Sequence, residues 1–444
     1  MIRLIFPSNS LSHLFETLLV GEVESCAIAY ANPVTVDDQT TFLLVSEIFF
    51  PSAESYKERT TLSAVLDPSF IALHVKQATR AGQALVFIHT HPFSTSVPEF
   101  SPVDDSGEAA LADFLEQRAS AFPHLAAVLG PKGIRARILG KRQEVQVREV
   151  GSKLRLFDLA SDELPSLNIF DRQVRAFGSA GQQAVEALKI GIVGLGGTGS
   201  AVAQQLTYLG AKKFLLIDPD TVDETSLNRL IGANHQSLEV PKVVVASHLI
   251  KSVHPDAEVT ENTGTVLDLS VALSLVHTDL IFCCTDSHAS RAILNQLAYQ
   301  YYIPTIDMGV SIVASKGKVD RLTGRVQMLS PGLGCLACGN LLDADAIRRE
   351  LMVEEHRKAD PYFIGSAVPQ PAVVTLNSTV ASLAATMFLG AVTDIPAHAR
   401  YQIYNGINGT LRAVSLTPDP MCIVCSKRGA LGRGNEWELP ARRA

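Results

Sequence analysis

One short run limits the fold of this chain more than any other: KIGIVGLGGTGS, from Lys189 to Ser200. An apolar strand that ends in Gly194, Gly196, Gly197 and Gly199 and leads into a helical pattern is the strand–turn–helix unit of a doubly wound parallel sheet. The glycines let the backbone approach a phosphate closely, and the helix N-terminus behind them favours an anion. The alternation then repeats, because KFLLID from Lys213, DLIFCC from Asp279 and IPTID from Ile303 read as strands with helices between them. Asp218 closes the second of these strands, about where an acidic residue binds ribose hydroxyls. A nucleotide site is expected on these grounds, and a dehydrogenase fits it as well as an ATP-using enzyme does.

The residues after Asp218 separate the two. A hydride-transfer enzyme has no use for an arginine and a lysine soon after its ribose acid. A triphosphate does, because its charge and that of the pentavalent phosphorus must be neutralised. Arg229 and Lys242 supply that charge, Lys242 from the first turn of an expected helix. Asp286, just past a strand's carboxyl end, is suited to Mg²⁺. This order resembles the ThiF/MoeB/E1 superfamily, whose members adenylate the C-terminal carboxylate of ubiquitin-like proteins, and the resemblance runs from about Phe170 to Cys425. It implies that Gly194, Gly196 and Gly197 form the phosphate loop, that Asp218 binds ribose, that Arg229 and Lys242 bind phosphates, and that Asp286 holds Mg²⁺. Asp220 fits the family's D-x-D. In the segment Thr225-Ser226-Leu227-Asn228-Arg229, Ser226 stands where the family has a nucleotide-contacting asparagine, with Asn228 beside it in the nucleotide set. In FDRQVRAFG, Arg172 resembles the arginine that reaches ATP phosphates in a partner subunit's site, which implies a homodimer.

The first 150 residues have a different texture. Short apolar runs begin at Ser25, Thr41, Ala84, His124 and Ile134, with helical patterns near Leu11–Val20, Ser69–Arg80 and Ser106–Arg118, which makes a mixed α+β domain. At the end of ALVFIHTH, His89 and His91 are separated by one residue and point to the same side of a strand, so both imidazoles can reach one metal. Asp104 offers a third ligand and leaves the fourth position to water. Glu24 is the candidate general base, with Glu22 as runner-up. The string HTHPFSTSVPEFSPVDD resembles the JAMM (JAB/MPN) metallopeptidase motif. That resemblance implies His89, His91 and Asp104 as ligands of a catalytic zinc, Ser101 as the residue that steadies the oxyanion, and Glu24 as the base. Asp105 is a rival to Asp104. The nine residues between His91 and Ser101 are more than the family usually has, and Ala27 stands where its glycine is expected.

Seven cysteines are an odd count. Cys335 with Cys338 and Cys422 with Cys425 form two C-x-x-C pairs whose four thiolates can close a structural zinc site, an arrangement familiar in the adenylating family. Cys26 and Cys283 read as core, and Cys284 as a wall residue beside Asp286. Ubiquitin-type activating enzymes commonly carry an acceptor cysteine after the first pair. Gly339 to Thr375 contains none, so direct transfer to an outside thiol is expected.

The expectation for the whole chain is α/β. A JAB/MPN-like mixed domain covers 1–150, a linker 151–166, a Rossmann-like doubly wound ThiF/E1-like domain with structural zinc 167–430, and a frayed tail 431–444. The stretch from Lys141 to Leu167 reads as linker with one possible strand. With 47% apolar and 19% charged residues the chain is a well-packed protein and not a disordered one. Its net charge of −7 leaves no basic excess for nucleic acid. The longest apolar run, Thr379 to Val392, is shorter than the roughly 20 residues that span a bilayer, so no membrane partner is expected. The N-terminus lacks the apolar core of a signal peptide, and a cytoplasmic location is expected. The expected cofactors are ATP, Mg²⁺ and two Zn²⁺. The expected partners are a ubiquitin-like or sulfur-carrier protein ending in glycine, with a conjugating enzyme or sulfur donor. Activation and processing of a ubiquitin-like modifier is the leading function. Sulfur-carrier activation in biosynthesis, or a scaffold with one inactive half, are the alternatives.

Overall fold

The computed structural model describes residues 1–119, 121–157, 168–315, 318–352 and 371–443. They divide into two compact units: Met1–Ala160 with Gly432–Trp437, and Ser161–Leu431 with Glu438–Ala444.

The first unit runs β1 (Ile2–Pro7), α1 (Ser10–Leu18), β2 (Cys26–Asp37), β3 (Thr40–Phe49), β4 (Tyr56–Arg59), β5 (Ala64–Leu66), α2 (Pro68–Arg80), β6 (Ala84–Thr90), α3 (Pro102–Glu116), β7 (Leu125–Gly130), β8 (Gly133–Ile138), β9 (Glu144–Val150) and β10 (Leu154–Leu156). Its main sheet has the order β1-β3-β2-β6-β7-β8-β9-β10, and β1 also pairs with β9, so the sheet closes on itself. Alternation explains the closure. Leu4, Phe6, Leu43, Val147 and Ala127 all turn into one core with Leu11 and Leu14 of α1, which only a curved sheet can enclose.

Three expectations change in this unit. Part of the stretch from Lys141 to Leu167, expected as linker with one possible strand, forms two strands, since β9 pairs with β1 over Gln146–Val150 and β10 folds back on β9; the buried Val145, Val147 and Val150 override the charged Glu144, Arg148 and Glu149 beside them. Helix α3 starts at Pro102 rather than Ser106, because Ser101 caps it and Asp104 returns the capping bond. The start of the expected tail is ordered on β2, where Asn32 Nδ2 donates to Gly432 O at 2.8 Å and Asn435 Nδ2 donates to Thr35 O at 2.9 Å. Gly434, at φ +49°, lies so close over Val34 that no side chain would fit.

The second unit contains α4 (Asp171–Ala187), β11 (Lys189–Val193), α5 (Gly197–Tyr208), β12 (Lys213–Ile217), α6 (Lys242–Val253), β13 (Glu258–Asn262), α7 (Leu269–Ser274), β14 (Leu280–Cys283), α8 (His288–Gln300), β15 (Thr305–Ser315), β16 (Lys318–Leu329), α9 (Ala344–Leu351), α10 (Val374–Val392), β17 (Tyr401–Asn405) and β18 (Thr410–Ala413). The sheet order is β13-β12-β11-β14-β15-β16-β17-β18. The strands from β13 to β15 are parallel, and β16, β17 and β18 extend them antiparallel. The order steps outward from β11 in both directions, so the carboxyl ends of β11 and β14 flank the crevice where such sheets bind ligands.

Helix α10 starts five residues before the apolar run seen in the sequence. By length and composition it is the one helix among the described residues that could cross a membrane. In this unit Leu376, Val380, Met387 and Phe388 are buried as core, each contributing about 1.5–3 kcal/mol of burial. The chain end is held here too: Gln296 Nε2 donates to Glu438 O at 2.6 Å, and Arg442 N donates to Leu267 O at 2.7 Å.

Candidate active sites

In the first unit the pairing of β2 with β6 sets Cys26 opposite His89. Two residues further along that register, past Ser25 and Thr90, Glu24 comes just before β2 across from His91. Asp104 arrives from the first turn of α3. His89 Nε2 lies 3.2 Å from Asp104 Oδ1, His91 Nε2 lies 3.5 Å from Asp104 Oδ2, and His91 Nε2 lies 3.8 Å from Glu24 Oε1. The ligand atoms of His89, His91 and Asp104 all lie within 4.8 Å of one another. The rivals are elsewhere. Glu22 is exposed, and Asp105 is taken by Arg137 at 2.8 Å and Arg142 at 3.1 Å.

This donor set fits a metal. His89 Nε2 is buried and makes no well-aligned hydrogen bond despite its closeness to Asp104. Burial and the neighbouring His89 hold the His91 imidazole below its usual pKa, in the neutral form that binds metal. Burial opposes ionisation of Asp104, yet the adjacent His89 and the Ser101 amide and hydroxyl hold its carboxyl well below the usual range. Burial lifts the Glu24 carboxyl, partly offset by His89 and reinforced by Asp104. A raised carboxyl is a better proton acceptor. Ser101 Oγ accepts from Asp104 N at 3.3 Å, and its one proton faces the Asp104 carboxyl, from which an oxyanion would have to draw it. The long His91–Ser101 loop therefore still delivers Ser101 to the site, and Ala27 is simply buried in β2. A cavity of 260 Å³ opens beside Glu24, His89 and Asp104 and is otherwise mostly apolar.

In the second unit a cavity of 570 Å³ gathers Gly194, Gly196, Gly197, Asp218, Asp220, Arg229, Lys242 and Asp286. Gly194, at φ +88°, passes against the backbone of Cys284 and Thr285. The buried Asp218 accepts from Leu195 N at 2.5 Å and from Asp220 N at 2.9 Å, tying the glycine turn to the end of β12. Burial raises its carboxyl pKa, against those two amides and Lys242. Lys242 opens α6, and its Nζ pairs with Asp220 Oδ2 at 2.7 Å. The exposed Asp286 follows β14. A single carboxylate beside a phosphate site suits Mg²⁺, which keeps most of its waters.

Three sequence candidates are not in this cavity. Ser226 is buried with its hydroxyl donated to Asp223 Oδ1 at 2.7 Å, inside a 3-10 turn that Asp223 caps. Asn228 is exposed, and its Oδ1 faces Arg229. Arg172 is exposed on the first turn of α4. Conversely, Asn377 lies against Gly197, and Arg291 lines the wall while facing the fully buried Asp307 at 3.4 Å. Asn377 had one signal, as a lone amide on the buried face of an apolar helix. Arg291 had none.

The four cysteines also meet. Sγ separations are 3.6 Å for Cys335–Cys338, 3.6 Å for Cys335–Cys422 and 3.4 Å for Cys338–Cys425. Tetrahedral zinc at Zn–S about 2.3 Å sets thiolates roughly 3.8 Å apart, so the cluster fits that ion. Hydrogen bonding from Cys425 pulls the Cys335 thiol below its usual pKa. Cys26 and Cys283 are buried as expected, and Cys284 lines the nucleotide cavity with its thiol pushed well up by burial.

Residues 170–424 match the model of the ThiF family. The molybdopterin-synthase adenylyltransferase of Escherichia coli K12 is 26% identical over 263 residues, which is 58% of this chain and 96% of that protein. The ubiquitin-like modifier-activating enzyme 5 of Xenopus laevis is 23% identical over 253 residues, 54% of this chain and 59% of that protein, so the chain spans about three fifths of this relative. The structure of E. coli MccB with AMPCPP and selenomethionine-containing MccA is similar over 60% of this chain and 76% of that one, at 18% identity and a TM-score of 0.47.

Proposed function

The chain belongs to the ThiF family, and from that premise we propose that its second unit adenylates the C-terminal carboxylate of a small ubiquitin-like or sulfur-carrier protein. The observation that carries this is the single cavity uniting the glycine turn with Asp218, Arg229, Lys242 and Asp286. The turn's backbone and the α5 N-terminus receive phosphates. Arg229 and Lys242 neutralise charge as the carboxylate attacks the α-phosphorus and pyrophosphate leaves. Asp286 would hold Mg²⁺, which supplies further charge neutralisation when bound. The acyl group then passes to an outside thiol, a conjugating enzyme's or a sulfur donor's, since Gly339 to Thr375 has no cysteine and the Cys284 thiol is held protonated.

The first unit, in this reading, is a zinc peptidase acting on the same modifier. His89, His91 and Asp104 would hold the ion, which supplies an acidic water and a Lewis acid when bound. Glu24 takes the water's proton and hands it to the leaving amine, while the Ser101 hydroxyl donates to the oxyanion. A homodimer completed by Arg172 in trans and a closed zinc site at the four cysteines belong to the same proposal.

ATP–pyrophosphate exchange with small proteins ending in glycine tests the adenylation half. Exchange that depends on the added protein is expected, and its absence with every candidate would overturn the proposal. Release of thiocarboxylate rather than a conjugate would favour the sulfur-carrier branch.

A further inference from the structure

Glu24 stands beyond the last backbone pair of the β2–β6 ladder, Cys26 with His89. Residues in such a place ordinarily fray. Here every backbone polar group from Glu24 to Cys26 has a partner, and most come from a hairpin far along the chain. Glu24 N donates to Thr60 O at 2.9 Å, just past β4. Arg59 Nε donates to Glu24 O at 3.1 Å, and its Nη2 donates to Ser25 Oγ at 2.5 Å. Cys26 N donates to the Tyr56 hydroxyl at 2.9 Å, with the Arg59 guanidinium over the Tyr56 ring. From the other side Ser25 N donates to Thr90 Oγ1 at 2.9 Å, while Thr90 N donates to Ser25 O at 3.0 Å. Thr90 is the fully buried residue between the two histidines.

We infer that Arg59 and Tyr56 of the β4–β5 hairpin, together with Thr90, are positioning residues that hold Glu24 for its proton transfer; this rests on the reading of Glu24 as the peptidase base. None of the three reaches the metal ligands with its side chain. Their effect is to fix the backbone from which the Glu24 side chain reaches the site. A displacement of about 1 Å in a reacting group can cost about 10²-fold in rate, so losing the brace should lower turnover while leaving zinc in place.

The test uses the full zinc-loaded chain and the variants Arg59→Ala, Thr90→Val, Thr90→Ser and Glu24→Gln. Arg59 is exposed and its removal opens no core. Thr90→Val keeps the volume but strands a buried amide, and Thr90→Ser restores the acceptor. Hydrogen exchange at the Ser25 and Cys26 amides should quicken in Arg59→Ala and Thr90→Val and stay slow in Thr90→Ser. With a peptide ending in Gly-Gly-aminomethylcoumarin as probe, kcat should fall tenfold or more in the first two, with KM and zinc content unchanged, and recover in Thr90→Ser. Unchanged exchange, or undiminished kcat where Glu24→Gln is impaired, overturns this inference alone. Zinc lost in step with kcat would make the role structural and overturn it too. Equal rates for wild type and Glu24→Gln, including none, overturn the reading of Glu24 as base and this inference with it.

Discussion

Lys242 Nζ lies 2.7 Å from Asp220 Oδ2, and Asp220 O accepts from Lys242 N at 3.0 Å. One residue therefore fixes both the start of α6 and the direction of its first ammonium. Lys242 is mostly covered and Asp220 mostly open, with side-chain exposures of 13% and 65%. Removing the lysine takes away a charge aimed at phosphates, a loss of about 10²–10³ in rate for a preorganised donor. Lys242→Ala should lower ATP–pyrophosphate exchange by that much. Asp220→Asn should cost tenfold or less, because an exposed partner is screened by water.

The glycine turn makes a second contrast. A β-carbon on Gly197 would stand 2.1 Å from Asn377 Nδ2, whereas one on Gly196 would meet nothing within 4 Å. Gly197→Ala should lower the melting temperature and ATP affinity together. Adding Asn377→Ala should return the melting temperature but not the affinity, since the backbone must still approach phosphate. Gly196→Ala should melt like the parent, within about 0.5 kcal/mol, and still bind ATP more weakly by calorimetry.

What the sequence made legible was what local chemistry specifies. The glycine run, the strand ends at Asp218 and Asp286, and the spacing of His89 and His91 are local patterns; one cavity contains Gly194, Gly196, Gly197, Asp218 and Asp286, and His89 lines the other with His91 beside it in the ligand cluster. What it hid depends on distant pairing. Strand β9 was no more than a possible strand within an expected linker because Arg148 and Glu149 interrupt its apolar pattern, and its pairing with β1 gives it its place in the sheet. Strands β17 and β18 have no fully buried residue, so no periodic signal marks them. Ser226 was assigned by alignment to a motif, but its hydroxyl is spent on Asp223. The Arg59 brace spans 35 residues, and nothing near Glu24 announces it.

The four thiols predict one zinc per chain in addition to any in the first unit. They sit beside a core that includes Tyr299, Leu336 and Val424, so the ion would tie two distant segments into that core. Cys425→Ser or prolonged chelation should release one zinc by mass spectrometry, expose the remaining thiols to a colorimetric reagent and lower the melting temperature of the second unit. Four slow thiols in the untreated chain that stay slow after complete zinc removal would argue for packing without metal.

His124 gives the first unit a pH dependence of known sign. Its Nδ1 accepts from Leu85 N at 2.9 Å, and its Nε2–H donates to Ala119 O at 2.8 Å. The ring is buried, so both bonds require the neutral tautomer with the proton on Nε2. Burial lowers its pKa, partly offset by the Ala119 carbonyl. Between that lowered value and the unfolded one near 6.5, the unfolded chain binds the extra proton, so stability rises with pH through this window. The contribution is complete above about pH 6.5 and is lost progressively below it. His74, also lowered by burial, adds in the same direction. Exchange of the β6 and β7 amides should therefore accelerate, beyond the intrinsic chemical rate, as pH falls from 7 towards 5. His124→Asn should flatten that dependence at some cost in stability at pH 7, because the asparagine oxygen can replace Nδ1 as acceptor but brings no titrating ring.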